Sequence, residues 1–127
     1  MEKLYLTTDE QSDRLIACGI NSVTADVWIS GRPRWSITKI LELLPPRLED
    51  FQCDSFYDLF SGELSKYPED PYTISGELTI QKTDNGKWYI DYQWDGFNGI
   101  LPQGNSLLEA ALKAIELLYA NGYKFNK

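Results

Sequence analysis

The stretch Ile74-Ser75-Gly76-Glu77-Leu78-Thr79-Ile80-Gln81-Lys82-Thr83-Asp84-Asn85-Gly86-Lys87-Trp88-Tyr89-Ile90-Asp91-Tyr92-Gln93-Trp94 decides the fold. Leu78 and Ile80 alternate with polar residues, and so do Trp88, Ile90, Tyr92 and Trp94, which is the period of a half-buried strand. Asp84-Asn85-Gly86 lies between the two runs. A two-residue Asn-Gly turn would set Ile80 against Asp91, a core side chain against a solvent one. A three-residue loop with Gly86 in the left-handed region sets Ile80 against Ile90 and Leu78 against Tyr92. The three-residue loop is therefore expected. It also places Trp94 across from Gly76, where an indole covers a missing side chain.

Helices are predicted on both sides of this hairpin. Thr8 and Gln11 form a capping-box pair ahead of a helix from about Asp9 to Cys18, with Gly19 as its left-handed end. Val27–Ser30 is β-branched and aromatic and predicts a short strand, which Ser30-Gly31-Arg32-Pro33 breaks. Ser36 caps a second helix whose Ile37, Ile40, Leu41 and Leu44 share one face, and Pro45-Pro46 ends it. Trp35 before the cap and Ile40 after it have the spacing of a hydrophobic staple. Ser106 and Glu109 begin a third helix that runs through Ala120 and closes at Asn121-Gly122, with Glu109 and Lys113 as an i, i+4 pair. Its apolar residues leave only a narrow polar stripe, so it is covered on more than one side, by the hairpin and the second helix or by a second copy of the chain. Residues 47–73 stay open. Phe56, Leu59 and Phe60 have helical spacing, whereas Phe51, Cys53 and Ser55 alternate like a strand.

The 127 residues suit one α+β domain, three helices on a small antiparallel sheet built around the hairpin. No apolar run is long enough for a signal peptide or a membrane span, so a cytoplasmic protein with no membrane association is expected. Cys18 and Cys53 are expected as reduced, at least partly buried thiols. Histidine is absent, which removes the commonest general base and the commonest metal ligand together.

Charge is distributed unevenly. The formal net charge is −7, and Glu49, Asp50, Asp54, Asp58, Glu63, Glu69 and Asp70 face a single Lys66 within one short stretch. Arg32, Arg34, Lys39 and Arg47 precede it. A solvated face kept acidic for solubility is one reading, and a patch that steers toward a basic protein partner is the other. Direct nucleic-acid binding is disfavoured, because phosphate is repelled by such a surface.

The chain carries no phosphate-cradling glycine loop and no nucleophile elbow, and a Ser or Cys nucleophile would lack a histidine. Asp54 and Asp58 at i, i+4 spacing could share a face for acid–base work, though in a charge-rich exposed stretch solvated acids are the better reading. Asp84-Asn85-Gly86 is accounted for by its turn and calls for no calcium. No cofactor or metal is expected. The loop Trp94-Asp95-Gly96-Phe97-Asn98-Gly99 joins a strand to a helix with aromatics at its base, as recognition loops do. Its plainer reading is Trp94 and Phe97 packing beneath while Asp95 and Asn98 serve the turn. The candidate binding residues are thus Glu49, Asp50, Asp54, Asp58, Trp94, Asp95, Phe97 and Asn98.

Leu6-Thr7-Thr8-Asp9-Glu10-Gln11-Ser12, Thr24-Ala25-Asp26, Pro33-Arg34-Trp35-Ser36-Ile37, Leu43-Leu44-Pro45 and the segment from Ser106-Leu107-Leu108-Glu109-Ala110-Ala111 to Asn121-Gly122 resemble a group of short hypothetical proteins of gut-bacterial genomes, often in prophages and mobile elements. The likeness spans most of the chain outside the acidic middle. It rests on packing and capping motifs, implies a bacterial or phage origin, and carries over no functional residue.

The expected function is a non-enzymatic acidic binding or accessory protein acting through protein–protein contacts; a narrower form is an inhibitor that imitates nucleic-acid charge. A small carboxylate-dependent hydrolase would need two acids converging in a pocket. A self-assembling protein, or a homodimer through the C-terminal helix, would need an exposed apolar stripe on that helix.

Overall fold

The computed structural model describes residues 6–53, 55–57, 64–66, 72–93 and 103–125. The elements run α1 (Asp9–Ala17), a 3-10 turn (Ser22–Thr24), β1 (Val27–Ile29), β2 (Arg32–Arg34), α2 (Ile37–Leu43), β3 (Arg47–Cys53), β4 (Ser55–Tyr57), β5 (Leu64–Lys66), β6 (Tyr72–Lys82), β7 (Trp88–Gln93), β8 (Gln103–Gly104) and α3 (Leu107–Ala120). Among the described residues β3-β6-β7-β8 form one antiparallel sheet, and β1-β2 and β4-β5 form separate two-stranded ribbons. The fold is α+β, as expected.

The hairpin register is the expected one. Leu78 faces Tyr92, Ile80 faces Ile90 and Lys82 faces Trp88. The Gly86 N–H donates to the Thr83 carbonyl at 3.0 Å, the Thr83 N–H donates to the Lys87 carbonyl at 2.9 Å, and Gly86 sits at φ +82°. A side chain at that φ is strained, which is why glycine holds the third loop position. The expected apposition of Trp94 and Gly76 falls outside the described residues.

The even-numbered face meets α3, but only in part. Ile90 and Tyr92 are buried against it, whereas Ile80 is 41 % exposed and Trp88 is half-buried. α3 lies over β7 and β8, and β3 pairs with β6 only as far as Glu77, so the Leu78–Lys82 arm of the hairpin extends beyond that cover. At that end the Lys82 ammonium rests over the Trp88 ring, 5.3 Å from its centroid.

The acidic stretch begins as a strand. β3 pairs with β6 as Leu48↔Gly76 and then Phe51↔Ile74, so Glu49 and Asp50 together oppose Ser75. Asp50 takes φ +50° and its N–H donates to the Ser75 hydroxyl at 2.9 Å. This bulge keeps Leu48, Phe51 and Cys53 on one face despite their mixed numbering parity. The alternation of Phe51, Cys53 and Ser55 was thus the right signal. Ser30-Gly31-Arg32-Pro33, in contrast, does not end a lone strand. Ser30 and Gly31 take φ +52° and +77°, the signature of a two-residue type I′ turn, and Arg32-Pro33-Arg34 returns as β2.

Helix ends follow their sequence signals closely. The Thr8 hydroxyl accepts from the Gln11 N–H at 3.1 Å and the Gln11 side chain accepts from the Thr8 N–H at 2.9 Å, a complete capping box. The Ile20 N–H reaches the Leu15 carbonyl and the Gly19 N–H the Ile16 carbonyl, a Schellman end; Tyr123 and Gly122 repeat it on Leu118 and Tyr119. Trp35 and Ile40, the staple pair, are both fully buried. The Ser106 box is half made: its hydroxyl accepts from the Glu109 N–H, but the Glu109 carboxylate turns to α1. There Arg14 donates to Glu109 at 3.1–3.2 Å and to Glu116 at 2.6–3.0 Å, pinning α1 to α3. Arg14 is a bidentate donor to both carboxylates, the geometry in which a guanidinium binds most strongly.

The core lies between α3, the sheet and the two other helices, and includes Leu15, Ile20, Trp35, Ile40, Ile90, Leu112 and Ile115. Leu108, Ala111, Ala114, Leu117 and Leu118 of α3 are buried as well. The helix is therefore covered within its own chain, as its composition required, and Tyr119 is its one exposed large apolar side chain. The apolar stripe that dimerisation or self-assembly through this helix calls for is absent among the described residues. Nor is any described helix long and apolar enough to cross a membrane.

At Gly104 the chain passes so close to α3 that a Cβ would lie 2.7 Å from the Ala110 nitrogen and 3.1 Å from the Glu109 carbonyl carbon. Backbone cannot rotate away as a side chain can. Gly104→Ala should therefore lower unfolding free energy by about 1–3 kcal/mol, read as an earlier urea midpoint at an unchanged slope.

Candidate interaction surface

Three of the six exposed large apolar side chains among the described residues fall within residues 23–29: Val23 at 78 %, Trp28 at 53 % and Ile29 at 43 % exposure. The β1–β2 hairpin and the 3-10 turn before it place them there. Both are anchored. Arg32 bonds Asp9 at 3.3 Å and Asp13 at 3.2 Å, and Arg34 bonds Asp9 at 2.9 Å and the Thr7 carbonyl at 2.9 Å, which ties β2 to the start of α1. The Trp35 indole N–H donates to the Thr24 hydroxyl at 3.0 Å and so fastens the 3-10 turn to the core.

Asp26, just before β1, accepts from the Ser36 hydroxyl at 2.5 Å and the Ser36 N–H at 2.9 Å. Desolvation favours the neutral acid, but the hydrogen bonds from Ser36, its own N–H and the Lys39 charge together outweigh this and hold its pKa below the usual carboxylate value. Exposed apolar side chains on a firmly tethered ribbon suit contact with another macromolecule, since little order is lost on binding.

The expected candidates fare differently. Glu49 and Asp50 are exposed at the β3 bulge, where Glu49 accepts from Arg47 at 3.1 Å. Asp54, Asp58, Trp94, Asp95, Phe97 and Asn98 lie outside the described residues. Trp28 was missed. The signal available was its place in a short β-branched and aromatic run beside a turn, and such a run is silent about which faces are covered.

A second feature sits between the sheet and α3. A cavity with about 20 Å³ open to the centre of a water molecule, enough for a single water, is lined by Leu48, Cys53, Ile74, Tyr92, Leu117 and Leu118 among others, and Asp91 borders it. The remaining lining residues are apolar, so no second carboxylate converges here. Groups of three or more potential metal ligands are absent among the described residues. Both cysteines are buried, and burial pushes the Cys18 thiol up to about 11, away from the reactive thiolate. The Tyr92 hydroxyl donates to the Pro45 carbonyl at 2.6 Å, and burial raises its pKa.

Asp91 is the outlier. Register puts it opposite Thr79 on the polar face, where Thr73, Glu77, Thr79 and Gln81 are exposed, yet it is only 9 % exposed and its Oδ2 has no hydrogen-bond partner. Desolvation disfavours the charged form and raises its pKa to about 6, against a small opposing contribution from the Tyr92 N–H.

The chain matches no family model, and no curated protein or solved structure matches it.

An acid with a raised folded pKa holds its proton in the native state where the unfolded chain has lost it. Stability from Asp91 is therefore full below pH 3.8 and falls as pH rises toward about 6. The loss should be on the order of 2–3 kcal/mol, and Asp91→Asn should flatten the pH 4–7 slope of urea-derived stability. An unchanged slope would show that Asp91 is ionised in the native protein at little cost.

Proposed function

We propose that this chain is a non-enzymatic cytoplasmic binding protein that acts through protein–protein contacts, with the β1–β2 hairpin as its contact surface and its acidic charge as the steering field. The exposure of Trp28, beside Ile29 and Val23 on an anchored ribbon, carries the proposal. Tryptophan is the side chain most enriched at interface hot spots, because it offers a large apolar area with few rotamers to freeze. The net charge of −7 favours a basic partner and disfavours nucleic acid. Glu49, Asp50, Asp54 and Asp58 extend that field along the chain. The likeness to short prophage-borne proteins implies a bacterial or phage origin for such a protein.

The test is recovery of partners from bacterial cytosol on the wild-type protein and on Trp28→Ala, at low and at raised salt. A basic protein should bind the wild type, weaken as salt screens the field, and lose about 2 kcal/mol or more with Trp28→Ala. Equal recovery on both baits would show that charge alone gathers proteins and that the hairpin surface has no part in it.

A further inference from the structure

The free margin of β1 specifies what kind of segment docks there, a step that rests on the protein-binding role proposed above. In a two-residue turn the flanking residues, here Ile29 and Arg32, form a hydrogen-bonded pair, and bonding alternates from there. Trp28 and Pro33 are therefore a non-hydrogen-bonded pair, and Val27 and Arg34 bond again. Pro33 lacks an N–H, which costs the ribbon nothing on its inner side and denies a donor on the outer margin of β2. Directly across, the N–H and C=O of Trp28 point outward, away from β2. Among the described residues the sheet ends at β1, with no third strand beyond it. One margin is thus closed by proline, and the other presents a donor and an acceptor beneath an exposed indole.

We propose that an extended, lysine- or arginine-bearing segment of a partner protein adds to β1 as a third strand. It exchanges main-chain hydrogen bonds with Trp28 and lays a cationic side chain across the indole. Strand addition draws affinity from the main chain and specificity from alternate side chains. Trp28 projects to one face of the ribbon, and Val27 and Ile29 to the other. The best segment therefore alternates, with a cation opposite Trp28 and β-branched residues on either side of it. The chain already shows this ammonium–indole contact where Lys82 covers Trp88. Charge selects against a second copy as the occupant, because each copy brings −7.

The probe is a short blocked peptide of alternating valine and lysine. Two controls accompany it: the same peptide N-methylated at the residues whose N–H faces the edge, and a valine–glutamate version. Binding is read by isothermal titration calorimetry, and hydrogen exchange of the Trp28 amide in the wild type is followed by NMR. The valine–lysine peptide should bind and slow Trp28 amide exchange, and both controls should bind about tenfold more weakly or worse. Trp28→Pro removes a donor that the hairpin does not use and should abolish binding. Trp28→Thr keeps the donor and loses the indole, so it should bind at an intermediate level, and it serves alone if the proline variant does not fold.

Equal binding of the N-methylated peptide overturns strand addition while leaving protein docking through the Trp28 side chain intact. Failure of the valine–lysine peptide to bind the folded protein overturns it too, as does equal binding of the glutamate version. A Trp28-dependent dimer in sedimentation equilibrium overturns it by making the occupant another copy of the chain.

Discussion

The buried indole of Trp35 is the constraint on which the N-terminal half depends. It is fully buried, and each of its polar groups needs a partner. The side-chain N–H finds the Thr24 hydroxyl, the main-chain N–H finds the Thr7 hydroxyl, and the carbonyl accepts from the Thr7 N–H. Thr7 in turn shares a 2.7 Å hydrogen bond with Ser12 inside α1. One residue thereby fixes the chain before α1, the α1 helix itself, the 3-10 turn and the entry to α2. Because Trp35 directly follows β2, the exposed ribbon inherits its position from the core. The placement of Trp28 follows from the burial of Trp35.

The second half is organised by α3. Its apolar side chains cover the sheet, while its polar stripe is drawn to Arg14 through Glu109 and Glu116. All three side chains are between a fifth and a third exposed, so the desolvation cost is moderate and the bidentate geometry retains its value. This explains why the Ser106 capping box is only half formed. Glu109 has one carboxylate, and a guanidinium offered from another helix competes successfully with a single main-chain N–H.

What was legible in the letters was local. Caps, the Schellman glycines, the hairpin loop and the staple each depend on residues within a few positions of one another, and all but the half-made Ser106 box appear as expected. The bulge at Glu49-Asp50 was not legible, because it breaks the parity by which a strand is recognised and depends on the Ser75 hydroxyl far along the chain. Pro33 misled for a different reason. Proline interrupts a strand only where its N–H would have bonded, and here the register gives it a position with no such bond. Most of the binding candidates in the acidic middle and in the loop from Trp94 to Asn98 lie outside the described residues. The exposure of Trp28 was not legible, because exposure of an aromatic depends on what the rest of the chain leaves uncovered.

The bulge has a further consequence for the four-stranded sheet. β6 is long, regular and rich in β-branched residues, the type of segment that templates fibril growth when its margin is open. Here β3 pairs with its Tyr72–Glu77 half and β7 with its Glu77–Lys82 half. The outer strand β3 is kinked at Asp50, and β8 at the opposite border is two residues long. Neither border strand is a flat, extended ladder on which copies stack, and the margin of β6 that β3 does not reach, Thr79 to Lys82, carries the polar and charged side chains that discourage pairing.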